Sequence, residues 1–297
     1  MANMDLKGMG VALITPFKDD ENVDYEALLK LVEYHIQSGT DYIVVLGTTA
    51  ETSTLTEEEQ AEVVRAVVTQ VRHRIPVVRG VSRNSTHALV KKIKNMDCQG
   101  IDAILSVVPY YNKPSQEGIY QHFKAIAETT SIPIVLYNVP GRTGVNMTAE
   151  TTLRLANDFK HVIAIKEASG NIVQINDIIK NKPDGFQLIS GDDSLTFPLI
   201  ALGAIGVISV LGNAFPKEFS QMVRLALAGD YESARTIHTQ FLELYELLFL
   251  DGSPAGVKRT LNIMGMIENK LRLPLVPARI STYEKIREAV QKLGVKI

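Results

Sequence analysis

The sequence is poor in cysteine and carries no excess charge of either sign. Cys98 is the only cysteine among 297 residues, which excludes an internal disulfide framework and a thiolate metal cage. A lone cysteine near the end of an amphipathic helical pattern is usually a small buried hydrophobe. The formal net charge is -2, and lysine and arginine are scattered along the chain, so nothing indicates a nucleic-acid or anionic-membrane partner. We expect a protein of the reducing cytoplasm.

Motifs for phosphate and metal binding are also missing. The sequence contains no Walker loop and no Gly-x-Gly-x-x-Gly fingerprint, and its six histidines include no pair four residues apart. Asp192 and Asp193 could hold a hard cation, but no partner carboxylates stand out. The sequence therefore predicts no metal and no nucleotide cofactor.

One uncharged segment, residues 194–216, is long enough to cross a membrane. It is interrupted by Pro198, Gly203, Gly206 and Gly212, and it divides into a short helix, a glycine turn and a strand. The N-terminus lacks the basic and then apolar layout of a signal peptide. We expect a soluble protein.

Eight short apolar runs, mostly rich in β-branched residues, recur at intervals of roughly 20 to 30 residues. Such runs are typical of strands buried on both faces. They cover residues 11–15, 42–46, 77–80, 103–107, 134–137, 162–166, 187–190 and 206–209.

Helical patterns separate these runs, at residues 25–38, 56–71, 85–98, 116–129, 148–157, 172–181 and 195–202. The second starts with Thr56 followed by Glu59, which predicts a capping box. The repeated alternation predicts an α/β fold, a (β/α)8 TIM barrel. A doubly wound open sheet is the alternative, but eight regular repeats and the missing dinucleotide fingerprint weigh against it.

The chain changes character after residue 216. The rest contains helical patterns at about residues 217–228, 230–249, 255–265 and 278–293, with no strand between them. We predict a catalytic barrel of residues 1–216 and an all-helical extension of residues 217–297 packed on it.

Polar residues at the ends of the predicted strands are the candidates for chemistry, since active sites of barrels lie there. Lys166 stands out because it follows the apolar residues 162–165. Burying an ammonium favours its neutral form, and a neutral amine can attack a ketone to form an imine. The alternative is a lysine held in a buried ion pair with Glu167 or another carboxylate.

The neighbouring strand ends offer further candidates, each with a structural alternative. Tyr137 could relay protons or be a core aromatic residue. Thr48 and Thr49, after Gly47, could bind a carboxylate or form an ordinary turn. Arg142 could hold a second carboxylate through its guanidinium or be a solvated surface residue.

Five motifs at these strand ends resemble the dihydrodipicolinate synthase / N-acetylneuraminate lyase family, over essentially the whole chain. They are residues 47–51 (Gly-Thr-Thr-Ala-Glu), 109–114 (Pro-Tyr-Tyr-Asn-Lys-Pro), 137–144 (Tyr-Asn-Val-Pro-Gly-Arg-Thr-Gly), 165–168 (Ile-Lys-Glu-Ala) and 191–193 (Gly-Asp-Asp). The resemblance implies a Schiff-base enzyme with no cofactor, in which Lys166 forms an imine with pyruvate. It favours this role for Lys166 over the ion pair.

The resemblance also implies roles for the other candidates. Tyr137, Thr48 and Tyr111 would relay protons, with Tyr111 reaching the site of a neighbouring subunit in a homotetramer. Thr48 and Thr49 would hold the pyruvate carboxylate. The Gly191 backbone and Ile208 would line the pyruvate pocket.

Arg142 discriminates between branches of the family. An arginine here resembles the synthases, in which it binds the carboxylate of aspartate semialdehyde, and the sialic-acid lyases lack it. The implied reaction joins pyruvate to aspartate semialdehyde, giving 4-hydroxy-tetrahydrodipicolinate on the diaminopimelate route to lysine. A lyase for another 2-keto acid is the second hypothesis. A non-catalytic barrel is the third, and it predicts a disrupted constellation.

One departure from the family concerns regulation. Many relatives bind lysine as a feedback inhibitor, and Asn84 and Tyr110 match that site. The usual acidic residue falls at Ala88, however, and the usual histidines fall at Glu57 and Gln60. Without a carboxylate to pair with the amino group of lysine, we expect weak or absent inhibition.

Overall fold

In the computed structural model, which describes residues 4–295, the chain forms a closed barrel of eight parallel strands in sequence order. β8 closes the barrel by pairing with β1. The strands are β1 (Gly8–Ala12), β2 (Tyr42–Val45), β3 (Val77–Gly80), β4 (Ala103–Val107), β5 (Ile134–Asn138), β6 (Val162–Glu167), β7 (Gln187–Ser190) and β8 (Gly206–Ser209). The predicted (β/α)8 barrel is confirmed, and the open sheet is wrong.

Helices surround the barrel and continue beyond it. They are α1 (Tyr25–Gln37), α2 (Glu57–Val71), α3 (Thr86–Asn95), α4 (Gln116–Ala127), α5 (Pro140–Thr143), α6 (Ala149–Asp158), α7 (Ile172–Asn181), α8 (Asp193–Leu202), α9 (Pro216–Leu227), α10 (Tyr231–Gln240), α11 (Leu242–Leu247), α12 (Ala255–Ile263) and α13 (Ile280–Lys292). Thr56 and Glu59 form the predicted capping box at the start of α2.

Two layers of apolar side chains hold the barrel together. Alternate strand residues point inward, as the period of two in a strand requires. Val44, Tyr137, Ile189 and Ile208 belong to the inner core cluster. The outward residues pack against the helices and form the larger core clusters.

The first strand begins and ends three residues before its predicted bounds. The pattern of β-branched residues passes over Gly8 and Gly10, because glycine weakens a strand. A Cβ atom at Gly10 would lie 2.2 Å from the ring of Tyr42, so only glycine lets that ring pack there. At the other end, the N–H of Ile14 donates to the side chain of Asn213 at 3.0 Å.

Cys98 lies outside the helix predicted for it. α3 ends at Asn95, and the Cys98 thiol donates to the carbonyl of Met96 at 3.4 Å in the following loop. The residue is partly buried, and burial raises the pKa of its thiol, which disfavours a reactive thiolate.

The uncharged segment of residues 194–216 divides among α8, β8 and a 3-10 turn (Leu211–Asn213), with Gly203 ending α8 at a positive φ. None of the helices described in residues 4–295 is both long enough and apolar enough to cross a membrane.

The helical C-terminal part is confirmed, although the run predicted at residues 230–249 is divided between α10 and α11. α9 begins at the predicted boundary and packs against α8 and β1, in the place of the eighth helix around the barrel. The division into units of residues 1–216 and 217–297 stays a prediction.

Candidate active site

Lys166 and Tyr137 lie side by side near the carboxyl ends of two neighbouring strands. They are register partners on β6 and β5. Lys166 is 4% exposed, and its Nζ atom lies 4.4 Å from the centroid of the Tyr137 ring. The amine is therefore held against an aromatic wall and largely removed from solvent.

The alternative of an ion pair between Lys166 and Glu167 is not observed. Because successive strand residues point to opposite faces, Glu167 faces the helices. Its carboxylate accepts hydrogen bonds from the Asn138 side chain, the Gln174 side chain and the N–H of Ser169. Within residues 4–295, Lys166 has no carboxylate within 4.0 Å. A buried amine without an anionic partner is free to attack the ketone of a bound substrate.

Gly191 gives Lys166 its space. A Cβ atom at Gly191 would lie 3.1 Å from the Cε atom of Lys166 and 2.7 Å from the Cβ atom of Ala168. The N–H of Gly191 donates to the carbonyl of Glu167 at 2.8 Å, which fixes the end of β7 against β6. Ile208 is buried in the inner core cluster with Tyr137.

Thr48 and Thr49 lie on a tight turn after β2. A 3-10 turn covers Thr48–Ala50, with Thr48 exposed and Thr49 buried. Gly80, at the end of β3, allows the turn to approach, because a Cβ atom there would lie 2.0 Å from the carbonyl oxygen of Leu46. Sequence reasoning missed Gly80, although glycine at the end of a strand often indicates a close approach of another backbone.

A cavity of about 290 Å³ opens beside these strand ends. Thr48, Tyr137 and Arg142 all line it, with Arg142 exposed on the short helix α5. Within the described residues, Arg142 has no carboxylate within 4.0 Å, so its guanidinium is available to an anionic ligand. Lys166 adjoins the cavity through Tyr137 and is not itself a lining residue.

Tyr111 is not brought into this cavity. It is 88% exposed and has a positive φ of 74°. Its N–H donates to the carbonyl of Thr143 at 3.3 Å, which ties its loop to α5. Tyr110, the preceding residue, does line the cavity. A role for Tyr111 therefore requires a second copy of the chain.

A buried ion pair holds the turn that carries Thr48, and sequence reasoning missed it. Glu51 ends the turn, and its carboxylate contacts the ammonium of Lys258 on α12, with both side chains fully buried. The other Glu51 oxygen accepts from the N–H of Arg272 at 3.1 Å. Burial lowers the pKa of Lys258 to about 8 despite the carboxylate. The C-terminal helices thus anchor the turn that carries Thr48 and Thr49.

The two aspartates considered for a cation serve the backbone. Asp192 caps α8 by accepting from the N–H of Ser194. Asp193 is buried and accepts from the N–H groups of Val210 and Leu211 at 3.0 Å and 2.7 Å. No group of three or more His, Cys, Asp or Glu residues that could hold a metal occurs in the part of the chain that the structure describes.

The arrangement combines a buried amine, a phenol, hydroxyl groups and a cation beside one cavity. These groups suit imine chemistry on a small keto acid. The family model described as "Dihydrodipicolinate synthetase family" matches residues 5–293. The chain belongs to this family.

Relatives within the dihydrodipicolinate synthetase family match along the entire chain. This chain is 72% identical to the 4-hydroxy-tetrahydrodipicolinate synthase of Parabacteroides distasonis and 67% identical to that of Phocaeicola vulgatus. Both matches cover 100% of this chain and 100% of the relative. A crystal structure of the chloride-inhibited dihydrodipicolinate synthase from Acinetobacter baumannii, complexed with pyruvate, is 41% identical. It superposes with a TM-score of 0.95, over 98% of this chain and 100% of that one.

Proposed function

We propose that the protein catalyses the condensation of pyruvate with L-aspartate 4-semialdehyde to give 4-hydroxy-tetrahydrodipicolinate, a step of lysine biosynthesis. The observation that carries the proposal is the amine of Lys166, which lies buried against Tyr137 with no carboxylate beside it. Relatives of 66–72% identity that carry the name of this activity support it.

In the proposed mechanism, Lys166 attacks the ketone of pyruvate and loses water to form an imine. The protonated imine withdraws electrons, so the pyruvate methyl group loses a proton and becomes an enamine carbon. That carbon attacks the aldehyde of the second substrate. The amino group of the second substrate then displaces Lys166 and closes the ring, and one water is released overall. No external cofactor is required, since the imine supplies the electron sink.

The other site residues have distinct proposed roles. Tyr137, Thr48 and the Tyr111 of a neighbouring subunit relay protons. Thr48 and Thr49 bind the pyruvate carboxylate, and Gly191 and Ile208 shape the pocket, as the backbone contact with Lys166 and the apolar wall support.

Arg142 is proposed to bind the carboxylate of aspartate semialdehyde. A guanidinium recognises a carboxylate through two parallel hydrogen bonds, and Arg142 lines the cavity without a partner among the described residues. A neutral sugar aldehyde would give this cation no partner. Arg142 therefore disfavours a lyase for sugar acids, and the names of relatives 66–72% identical to the chain favour the synthase over a lyase for another acidic 2-keto acid.

We further propose that the protein works as a homotetramer in the cytoplasm. The exposure of Tyr111 supports an assembly in which this residue is covered by another subunit. The single cysteine, which forms no disulfide, is consistent with a reducing compartment.

The test is consumption of NADPH when the protein is given pyruvate and aspartate semialdehyde, coupled to dihydrodipicolinate reductase. We expect turnover that is lost in Lys166→Ala and kept in Lys285→Ala, a matched change of an exposed lysine on α13. Turnover with Lys166→Ala equal to the wild type would overturn the proposed nucleophile. If the wild type shows no turnover but pyruvate is still trapped on Lys166, the imine chemistry would stand. Aspartate semialdehyde would then not be the second substrate, and the lyase hypothesis would be favoured.

A further inference from the structure

A second cavity, of about 890 Å³, lies in a groove between α2 and α3, outside the active-site cavity but sharing Arg83 with it. Its lining is strongly basic although the whole chain has a net charge of -2. Six basic and two acidic residues line it. The basic residues are Arg65, Arg72, Arg79, Arg83, Lys91 and Lys92, and the acidic residues are Glu57 and Asp97. We call this the α2/α3 groove.

Arg79 is the innermost of these cations and is poorly compensated. It lies on β3, is 6% exposed, and donates from Nη1 to the carbonyl of Asp97 at 2.9 Å. Its Nε atom is buried and has no hydrogen-bond partner in the part of the chain described. No carboxylate of those residues lies within 4.0 Å of it. Burying a guanidinium without a neighbouring anion costs free energy. A bound anionic ligand beside Arg79 would compensate that cost.

Lys92 adds a second, partly buried cation to the same wall. Its side chain is 16% exposed, and its Nζ atom donates to the Gln60 side chain at 2.6 Å. Glu57 is 3.9 Å from it and 3.3 Å from Arg83, so one exposed carboxylate is shared between two cations. Burial lowers the pKa of Lys92, and the positive charges of Arg83 and Arg79 lower it further. The cations repel each other where they stand.

These observations are not those of an ordinary solvated basic face. Surface lysines and arginines keep their charged groups in water, whereas Arg79 and Lys92 are withdrawn into the floor and wall of a cavity. The volume is in the range of small-molecule sites. Guanidinium groups recognise phosphate and carboxylate groups through paired hydrogen bonds.

We propose that the α2/α3 groove is a binding site for a small oxyanion that carries two or more negative charges, with Arg79 and Lys92 as its principal ligands. The site goes beyond the proposed function, because it lies outside the active-site cavity. It would take an anion in a groove whose lining includes Glu57, Gln60 and Ala88, the positions at which many relatives bind lysine. Arg83 lines both cavities, so its side chain stands between the proposed oxyanion site and the substrate site.

The test is calorimetric titration of the protein with sodium pyrophosphate and with sodium citrate, at matched ionic strength in chloride. The two probes distinguish a phosphate-bearing from a carboxylate-bearing ligand. We expect saturable binding of at least one of them at one site per chain. Arg79→Met, which keeps the buried stem, should weaken binding about tenfold or more, the loss expected for a charge-assisted hydrogen bond.

Three variants make the result decisive. Lys92→Met replaces Arg79→Met if the latter fails to fold by circular dichroism, and the same loss is expected. Arg235→Gln, a change of an exposed arginine on α10, should bind like the wild type. Arg142→Gln should also keep binding, and loss of binding there would place the anion in the active site and overturn the proposal. Failure of both probes to bind, or equal binding by Arg79→Met, would overturn it as well.

Discussion

At the scale of single residues, the position of Lys166 depends on the absence of a side chain at Gly191 and on the ring of Tyr137. Strand alternation alone places Lys166 inward and Glu167 outward, which the sequence pattern anticipates. The contact with Gly191 could not be predicted, because it joins β6 to the loop after β7 through packing that leaves no local pattern.

Gly191→Ala is expected to lower kcat about tenfold or more with the fold intact, since displacement of a reacting group by an ångström has effects of this size or larger. The added Cβ atom would meet Lys166 at 3.1 Å and Ala168 at 2.7 Å, so one of them must move. Steady-state kinetics, with the melting temperature as control, measure the effect. Wild-type kcat in a folded variant would show that Gly191 does not set the position of the amine.

Asp193 predicts a pH dependence of stability. Burial raises its pKa from 3.8 to about 6, so between these values the folded chain holds a proton that the unfolded chain has released. The free energy of unfolding therefore falls as the pH rises through this window, by on the order of 2–3 kcal/mol. Asp193→Asn removes the titration and keeps an oxygen to accept from Val210 and Leu211.

Urea unfolding of the wild type and Asp193→Asn at about pH 4 and pH 6.5 checks this pH effect. We expect the variant to gain stability relative to the wild type as the pH rises. A difference between the two proteins that is the same at both pH values would contradict the assignment to Asp193.

At the scale of elements, the turn after β2 depends on the distant helix α12. Glu51 and Lys258 are separated by more than two hundred residues, so no local pattern reveals their contact. The strand ends were predictable for another reason: the carboxyl ends of parallel strands in a closed barrel meet at one face. This rule brings Thr48, Tyr137 and Arg142 to one cavity. It does not predict the buried ion pair that holds the turn carrying Thr48.

Glu51→Gln and Lys258→Met are each expected to destabilise the fold by about 3–5 kcal/mol, because each leaves a buried charge without its partner. The double variant should lose less than the sum, since no isolated charge remains. Chemical unfolding of the four proteins measures the coupling. Additive losses would show that the two side chains do not act as a pair.

The sequence predicts elements better than their ends. Strands β2 to β8 lie within one residue of their predicted bounds, because β-branched runs begin and stop sharply. The predicted bounds of the first strand were wrong by three residues, because glycines occupy inward positions of β1. Gly10 is one of them and packs against the ring of Tyr42. The short helix α5 was missed because four residues carry no helical periodicity, although Pro140 stands at its first position.

At the scale of the whole molecule, the site is incomplete without a second copy if Tyr111 takes part. Tyr111→Phe removes the hydroxyl from an exposed ring and should lower turnover without changing the melting temperature. Steady-state kinetics and analytical ultracentrifugation of the variant check this prediction. Full activity in Tyr111→Phe would remove the residue from the proton relay.

Feedback inhibition by lysine is expected to be weak or absent. Ala88 offers no carboxylate to the amino group of lysine, and Lys92 places a cation beside Gln60, where a second ammonium would be repelled. Titration of the active enzyme with L-lysine is the measurement. Strong inhibition at submillimolar lysine would contradict the expectation.

The central claim is that Lys166 forms a covalent imine with pyruvate. Its direct test is reduction with borohydride in the presence of pyruvate, followed by peptide mass spectrometry. The account predicts one reduced pyruvate adduct per chain, located on Lys166 and absent from Lys166→Ala. An adduct on another lysine, or none on the active protein, would contradict it.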